Sequence, residues 1–213
     1  IAQGERVAII GKMGSGKTTL GKLVNGLYEP QKGAVKIGGL DIRQIDPAEL
    51  RAKIGYMAQD NFLFHGTVRE NITIGAPHVS DQALLRAATI AGVTDFIKSS
   101  PAGFNLQVGE RGLALSGGQR QAITIARTLL MDPEIVILDE PSSSMDVGVE
   151  TVLKLRLSSA LKGKTLVLIT HRPSLLSLVN RVIALEDGAI IADGPRNTVL
   201  AELQKRGNGA KRD

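Results

Sequence analysis

Gly11-Lys12-Met13-Gly14-Ser15-Gly16-Lys17-Thr18 has the spacing of a phosphate-binding loop: glycine, four residues, glycine, lysine and a hydroxyl residue. Glycines let the backbone turn successive N–H groups inward on phosphate oxygens, and a following helix start adds partial positive charge. In such a loop Lys17 neutralises β- and γ-phosphate oxygens and the Thr18 hydroxyl reaches a magnesium ion. A second chemistry-bearing pair, Asp139-Glu140, closes the apolar run 135–138. Two carboxylates at one strand end can divide their work: Asp139 holds the metal shell, and Glu140 orients and polarises an attacking water as general base. Gln59 and His171, one of three histidines, each follow a further apolar run. A strand-end amide or lone histidine is ordinary by itself; the phosphate loop in the same chain gives both a role.

These groups need a scaffold that brings them to one place. Four short Val/Ile/Leu-rich runs, 7–10, 54–57, 135–138 and 166–169, read as strands buried on both faces, as in a parallel sheet. Each is followed at once by polar or glycine-rich residues. Ligands of open α/β sheets gather beyond the carboxyl ends of strands, so the four segments are predicted to converge. Helical patterns follow the phosphate loop at 18–25 and occupy 120–130. Between 59 and 139 helical signals dominate: Ser80 reads as an N-cap, Leu84, Leu85, Ala88 and Ala91 recur at helical spacing, and Gly92 suits the residue after a helix. Glu186-Asp187-Gly188 predicts a hairpin between 182–185 and 189–192. The expected division is a core of about 1–60 and 134–203, an inserted helical subdomain of about 61–133 and a basic tail, 204–213.

With 213 residues, 43% of them hydrophobic, the chain can bury a full core. Without cysteine it has neither disulfides nor thiolate metal sites. No apolar run approaches the roughly 20 residues of a membrane-spanning helix. The net charge is +5, but four basic residues and one acid in the last ten residues supply +3 of it. The body is therefore nearly balanced, and aromatic residues at 3% leave little for stacking on single strands. Nucleic acid is not an expected partner.

Leu115-Ser116-Gly117-Gly118-Gln119 precedes a helix-like stretch and matches, letter for letter, the signature motif of ABC-type ATPases. The chain resembles that family along nearly its whole length: the phosphate loop at 11–18, a Q-loop at Gln59, the signature, a Walker B segment at 135–140, a D-loop at Ser143-Ser144-Met145-Asp146 and a switch histidine at His171. The resemblance implies an α/β fold of P-loop NTPase type, with a mainly parallel central sheet flanked by helices and an inserted helical subdomain. It further implies two copies stacked head to tail around ATP and Mg²⁺. Each nucleotide would lie between one chain's loop, residues 11–18 with Thr19, and Leu115, Ser116, Gly117, Gly118 and Gln119 of the other. By the same likeness His171 contacts the γ-phosphate and orders Glu140, Gln59 touches Mg²⁺, and Asp146 lines the dimer contact.

Residues 59–72, Gln59-Asp60-Asn61-Phe62-Leu63-Phe64 and onward, and Val108-Gly109-Glu110-Arg111-Gly112 resemble exporter versions of the post-Q-loop segment and X-loop. In that subfamily both lie against coupling helices of transmembrane domains; alternatively, Phe62, Leu63 and Phe64 belong to the core of the helical lobe. Thr170-His171-Arg172-Pro173-Ser174-Leu175-Leu176 is similar to ATPases of type I protein secretion. That likeness implies the cytoplasmic face of an inner membrane, a transmembrane domain upstream, and a periplasmic adaptor and outer-membrane channel as further partners. The alternatives are a lipid or drug exporter, an ABC-type ATPase of DNA repair or translation, which brings tandem motor domains or long coiled coils, and a non-hydrolysing sensor, against which Glu140 and His171 stand. Only ten residues precede Gly11, so the family's adenine-stacking aromatic is expected upstream of Ile1, on a longer polypeptide; Tyr28 and Tyr56 do not hold its position. Lys12 and Ser142 are mild departures from the pattern.

Overall fold

The structure, a computed structural model, describes residues 1–209. In chain order its elements are β1 (Arg6–Gly11), α1 (Lys17–Val24), β2 (Lys36–Ile37), β3 (Leu40–Asp41), α2 (Pro47–Lys53), β4 (Ile54–Met57), α3 (Val68–Thr73), α4 (Asp81–Ala91), α5 (Val93–Ile97), α6 (Gly117–Leu129), β5 (Ile135–Asp139), α7 (Val147–Ala160), β6 (Thr165–Ile169), β7 (Arg181–Glu186), β8 (Ala189–Pro195) and α8 (Arg196–Gly209). Six strands form one sheet in the order β4-β5-β6-β1-β7-β8, parallel except for the last pair. The fold is thus α/β with a mainly parallel sheet. The four predicted strands are four consecutive members of it, β4 at one edge followed by β5, β6 and β1. The predicted hairpin is β7–β8; Asp187 and Gly188 both take positive φ (48° and 79°), as a tight turn matched to strand twist requires.

Alternate residues of the strands feed two cores. Ala8, Met57, Val136, Leu138, Leu166 and Leu168 face the larger one, which continues through α3 to α7. Ile9, Ile54, Ile137, Val167, Ile169 and Leu185 face the smaller, closed by Leu20 and Val24 of α1 and Leu50 of α2. Burial on both faces is what turns these strands into continuous apolar runs.

The stretch between β4 and β5 holds α3, α4, α5 and α6 and no named strand. Ser80 caps α4 by accepting the Ala83 N–H, and Gly92 ends it in the left-handed conformation. The buried face of α4 is Leu84, Ala87, Ala88 and Ala91; Leu85, counted in the sequence periodicity, is 52% exposed. Helix α6 starts at Gly117, three residues before the sequence pattern suggested. The reason is a capping box: Ser116 Oγ accepts the Gln119 N–H while Gln119 Oε1 accepts the Ser116 N–H, so the signature itself forms the first turn. Helix α8 continues past Gln204, where the sequence reading begins its basic tail; residues 210–213 of that tail lie outside the described residues.

Candidate functional site

At the carboxyl ends of β1, β4, β5 and β6 a cavity of about 440 Å³ opens, lined by Gly11, Met13, Gly14, Gly16, Lys17, Thr18 and Thr19 with Gln59, Asp139, Glu140, Ser143 and His171. All four predicted segments contribute to it, because parallel neighbours place their carboxyl ends on one side of the sheet. Lys12 and Ser15 belong to the loop but do not line the cavity. Lys12 pairs with Glu186 at 2.7 Å on the surface, and Ser15 is buried beneath the loop.

The loop's shape depends on its glycines. A Cβ on Gly11 would stand 2.2 Å from the Leu185 carbonyl oxygen and 2.7 Å from Ser15 Oγ, at a φ of 154°. Gly16 precedes α1 in a left-handed conformation and supplies no side-chain cap, so the first N–H groups of α1 keep no side-chain partner at that end. Lys17 folds back over the loop and donates to the carbonyls of Gly11 (2.9 Å) and Lys12 (2.7 Å). The result is an ammonium held beside the uncapped start of α1, an arrangement suited to an oxyanion with several negative oxygens.

Opposite stands Asp139, 1% exposed, with neither carboxylate oxygen in a hydrogen bond. Burial holds its carboxyl above the ordinary aspartate range, against the pull of the nearby Thr18 hydroxyl and with a contribution from Glu140. The same burial, with Asp139 beside it, pushes the Tyr56 phenol up to about 12, so the ring stays neutral. An unpartnered buried carboxylate next to a hydroxyl fits a hard cation. No cluster of three or more His, Asp or Glu side chains able to hold a metal occurs among the described residues. A cation held by Asp139 and Thr18 would need further oxygen ligands from outside this pair.

Glu140 adopts a positive φ of 52°, uncommon for a residue with a side chain. Its N–H donates to the Ile169 carbonyl, and its Oε1 lies 2.8 Å from His171 Nδ1. Thr170 Oγ1 reaches Oε2 at 3.4 Å. The carboxylate is thus held at the cavity wall by the segment that carries the histidine, whose ring is largely exposed toward the opening.

The signature lies elsewhere. Ser116, Gly117, Gly118 and Gln119 line a second cavity of about 690 Å³, with Asp146, Met145, Val149, Val152 and Phe96, while Leu115 is buried behind them. Within one chain the two sets of predicted residues are separate, so a nucleotide in the first cavity meets this chain's phosphate loop and not its signature. Of Phe62, Leu63 and Phe64, the middle residue is fully buried. The flanking rings are about half exposed and meet edge to face at 5.0 Å. Arg127 of α6 fixes this segment by donating to the carbonyls of Asn71 (2.7 Å) and Phe62 (3.2 Å). The X-loop-like stretch joins it through Val68 N–H to the Leu106 carbonyl and Val108 N–H to the Gly66 carbonyl.

Sequence reasoning passed over three groups. Ser143 lines the first cavity, although only its motif had been noted. Gln121 is fully buried between α6 and the 140–144 segment. Glu150, 4% exposed on α7, accepts from Ser142, Ser174 and Arg172. A polar residue at a core-facing position of an amphipathic helix was the available signal for Gln121; α7, apolar on its exposed side as well, offered none for Glu150.

A family model described as ABC transporter matches residues 1–143. The chain is 41% identical over 202 residues to "Uncharacterized ABC transporter ATP-binding protein YknV" of Bacillus subtilis, covering 95% of this chain and 33% of that protein. It is 42% identical over 200 residues to the leukotoxin translocation ATP-binding protein LktB of a Pasteurella haemolytica-like species, covering 94% and 28%. To the alpha-hemolysin translocation ATP-binding protein HlyB of Escherichia coli O157:H7 it is 40% identical over 202 residues, covering 95% and 29%. A bacterial Atm1-family ABC exporter solved with ATP bound superposes with a TM-score of 0.90 at 34% identity, over 96% of this chain and 37% of that one. The chain spans about a third of the length of these relatives. No described helix is long and apolar enough to cross a membrane.

Proposed function

The chain belongs to the ABC transporter family, and from that premise we propose that it is the ATP-hydrolysing motor domain of an exporter, working as a head-to-tail pair. The observation that carries this reading is the cavity in which Lys17, Asp139, Glu140 and His171 meet while the signature lines a separate cavity. A site whose second half lies apart from it on the same chain is completed by a twin.

In this reading the N–H groups of Gly14, Gly16, Lys17 and Thr18 and the Lys17 ammonium grip the triphosphate. Ser116 serves the twin's nucleotide: its Oγ accepts the Gln119 N–H, which leaves the hydroxyl proton for a γ-phosphate oxygen. Asp139 and the Thr18 hydroxyl hold Mg²⁺, with Gln59 at the cavity wall as a further oxygen donor. Bound there, such an ion would supply charge neutralisation to the triphosphate. Glu140 orients the water and takes its proton, and His171 holds the Glu140 carboxylate and faces the transferred phosphoryl group. Asp146, beside the signature, lines the contact between the two chains.

The similarity to LktB and HlyB supports type I secretion of a protein or peptide as the transport task. A transmembrane domain on the same polypeptide would dock at Phe62, Phe64 and the 108–112 loop on the cytoplasmic side of an inner membrane, with an adaptor and outer-membrane channel beyond. The likeness to an ABC exporter of the Atm1 family keeps a lipid or drug exporter as the second reading.

Glu140→Gln tests the chemistry. Turnover should fall at least about 100-fold with ATP affinity kept, and the variant should run as an ATP-dependent pair in size-exclusion chromatography. Turnover within tenfold of the parent, or no pairing in ATP, defeats the proposal. In reconstituted full-length protein, stimulation of turnover by an unfolded secretion substrate supports the secretion reading; stimulation only by lipid or small molecules favours the second.

A further inference from the structure

Helix α6 carries two sets of groups on one rod. Its first turn presents Ser116, Gly117 and Gly118 to the outer cavity. Further along, the side chain of Gln121 is fully buried and every donor of its amide is used. Its Nε2 donates to the Glu140 carbonyl oxygen at 2.9 Å and to Ser143 Oγ at 3.0 Å, and its Oε1 accepts the Ser144 N–H at 3.1 Å. One side chain thus ties the signature helix to the Glu140 backbone and to Ser143 and Ser144.

The tie is reinforced at the helix mouth. A Cβ on Gly117 would stand 3.0 Å from Ser144 Cβ, and one on Gly118 would stand 3.4 Å from the Ser144 carbonyl oxygen, so the signature backbone lies directly on the 143–146 loop. From the other side Arg172, next to His171, donates to the carbonyls of Met145 (3.2 Å) and Ser143 (3.2 Å). The loop is pinned between α6 and the histidine segment. Glu140, at its head, holds a positive φ that persists only where its surroundings fix it.

We infer that Gln121 is a positioning residue that couples the two nucleotide sites of the pair: what docks on the α6 N-terminus sets the placement of Glu140 in the same chain. This rests on the head-to-tail reading, in which a chain's signature closes its twin's site while its Glu140 serves its own. A shift of α6 under the twin's nucleotide must either carry the 140–144 backbone along or leave a buried amide and carbonyl unpaired. The second course is costly in a dry interior, so the backbone follows. Coupling of this kind is reciprocal between the sites.

The test uses the full-length protein with Gln121→Leu and Gln121→Glu, reading ATP affinity, kcat and the Hill coefficient of turnover. Leucine keeps the volume and removes all three bonds. The expected result is unchanged ATP affinity, kcat lower by about tenfold and a Hill coefficient falling from above about 1.5 to about 1. Glutamate in this dry position titrates high. When protonated it can again donate to the Glu140 carbonyl and accept the Ser144 N–H, so its kcat relative to the parent should rise as pH falls from 8.5 to 6.5. Full kcat and unchanged cooperativity in both variants overturn the inference. So does a fall in kcat with cooperativity intact and no pH-dependent recovery, which marks a merely structural amide. Should Gln121→Leu fail to fold, the Gln121→Glu pH ratio alone decides. Absence of turnover or ATP-dependent pairing in the parent would instead strike at the proposed function, leaving the two failures distinct.

Discussion

Asp139 carries an energetic conflict between folding and ligand binding. Its carboxylate is buried without a hydrogen bond, a position that penalises the charged form unless a cation arrives. Asp139→Asn removes the charge and keeps the shape, so the nucleotide-free protein should become more stable by about 1–2 kcal/mol. For a domain of this size that is roughly 2–8 °C in melting temperature. The same variant should lose the additional stabilisation that Mg²⁺ gives in the presence of ATP, since ligand linkage scales with affinity. Differential scanning fluorimetry with and without EDTA checks both halves; a destabilised apo protein would mean that the carboxylate has a structural partner. Glycine at position 11 is the converse case, because space and not charge is decisive there. The Leu185 carbonyl oxygen occupies the volume of any β-carbon, a fact that the loop pattern implied and the neighbouring strand explains.

Among the elements, the connection between β5 and α7 depends on polar anchors more than on apolar packing. Glu150 accepts from Ser142, Ser174 and Arg172, and Arg172 in turn holds the carbonyls of Ser143 and Met145. Burial works against the charged form of Glu150, but the bonds from Ser142, Ser174 and Arg172 outweigh it and hold the carboxyl below its ordinary value. A depressed acid stabilises the fold above its unfolded-state value, and that contribution is lost as pH falls through the folded one. Glu150→Gln should therefore cost about 1.5–3 kcal/mol at pH 7, with the gap to the parent closing below about pH 4.5; chemical denaturation at pH 7 and pH 4 reads it, and a gap independent of pH would remove the charge from the account. Nothing in the sequence pointed to this cluster, because the partners of Glu150 lie 8, 22 and 24 positions from it and only the fold joins them. The strands, the hairpin and the α4 caps were legible, since they follow from local periodicity and turn chemistry. The start of α6 was not, because two glycines in its first turn mask a helix that Ser116 and Gln119 cap reciprocally. Leu85 was misplaced by a period count that the packing of α4 settles in favour of Ala87.

For the whole molecule, the decisive feature is that the phosphate loop and the signature line separate cavities of one chain. Met13, at the tip of the loop, is fully exposed, and Ser116 opens on the outer cavity. In a head-to-tail pair a two-fold axis sets unlike patches against each other twice, whereas a pair that joins like patches sets each against itself. The chain has no cysteine, so introduced thiols report without background. In the Glu140→Gln background with ATP, a chain carrying both Met13→Cys and Ser116→Cys should form a covalent dimer with a short bis-maleimide linker. An equal mixture of the two single-cysteine chains should do the same, while each single variant alone should not. Without ATP the yield should drop, because the nucleotide supplies charge-assisted bonds to both chains at once. Efficient dimers from either single variant alone would mean that like faces meet like, and the signature would then complete no site on the partner.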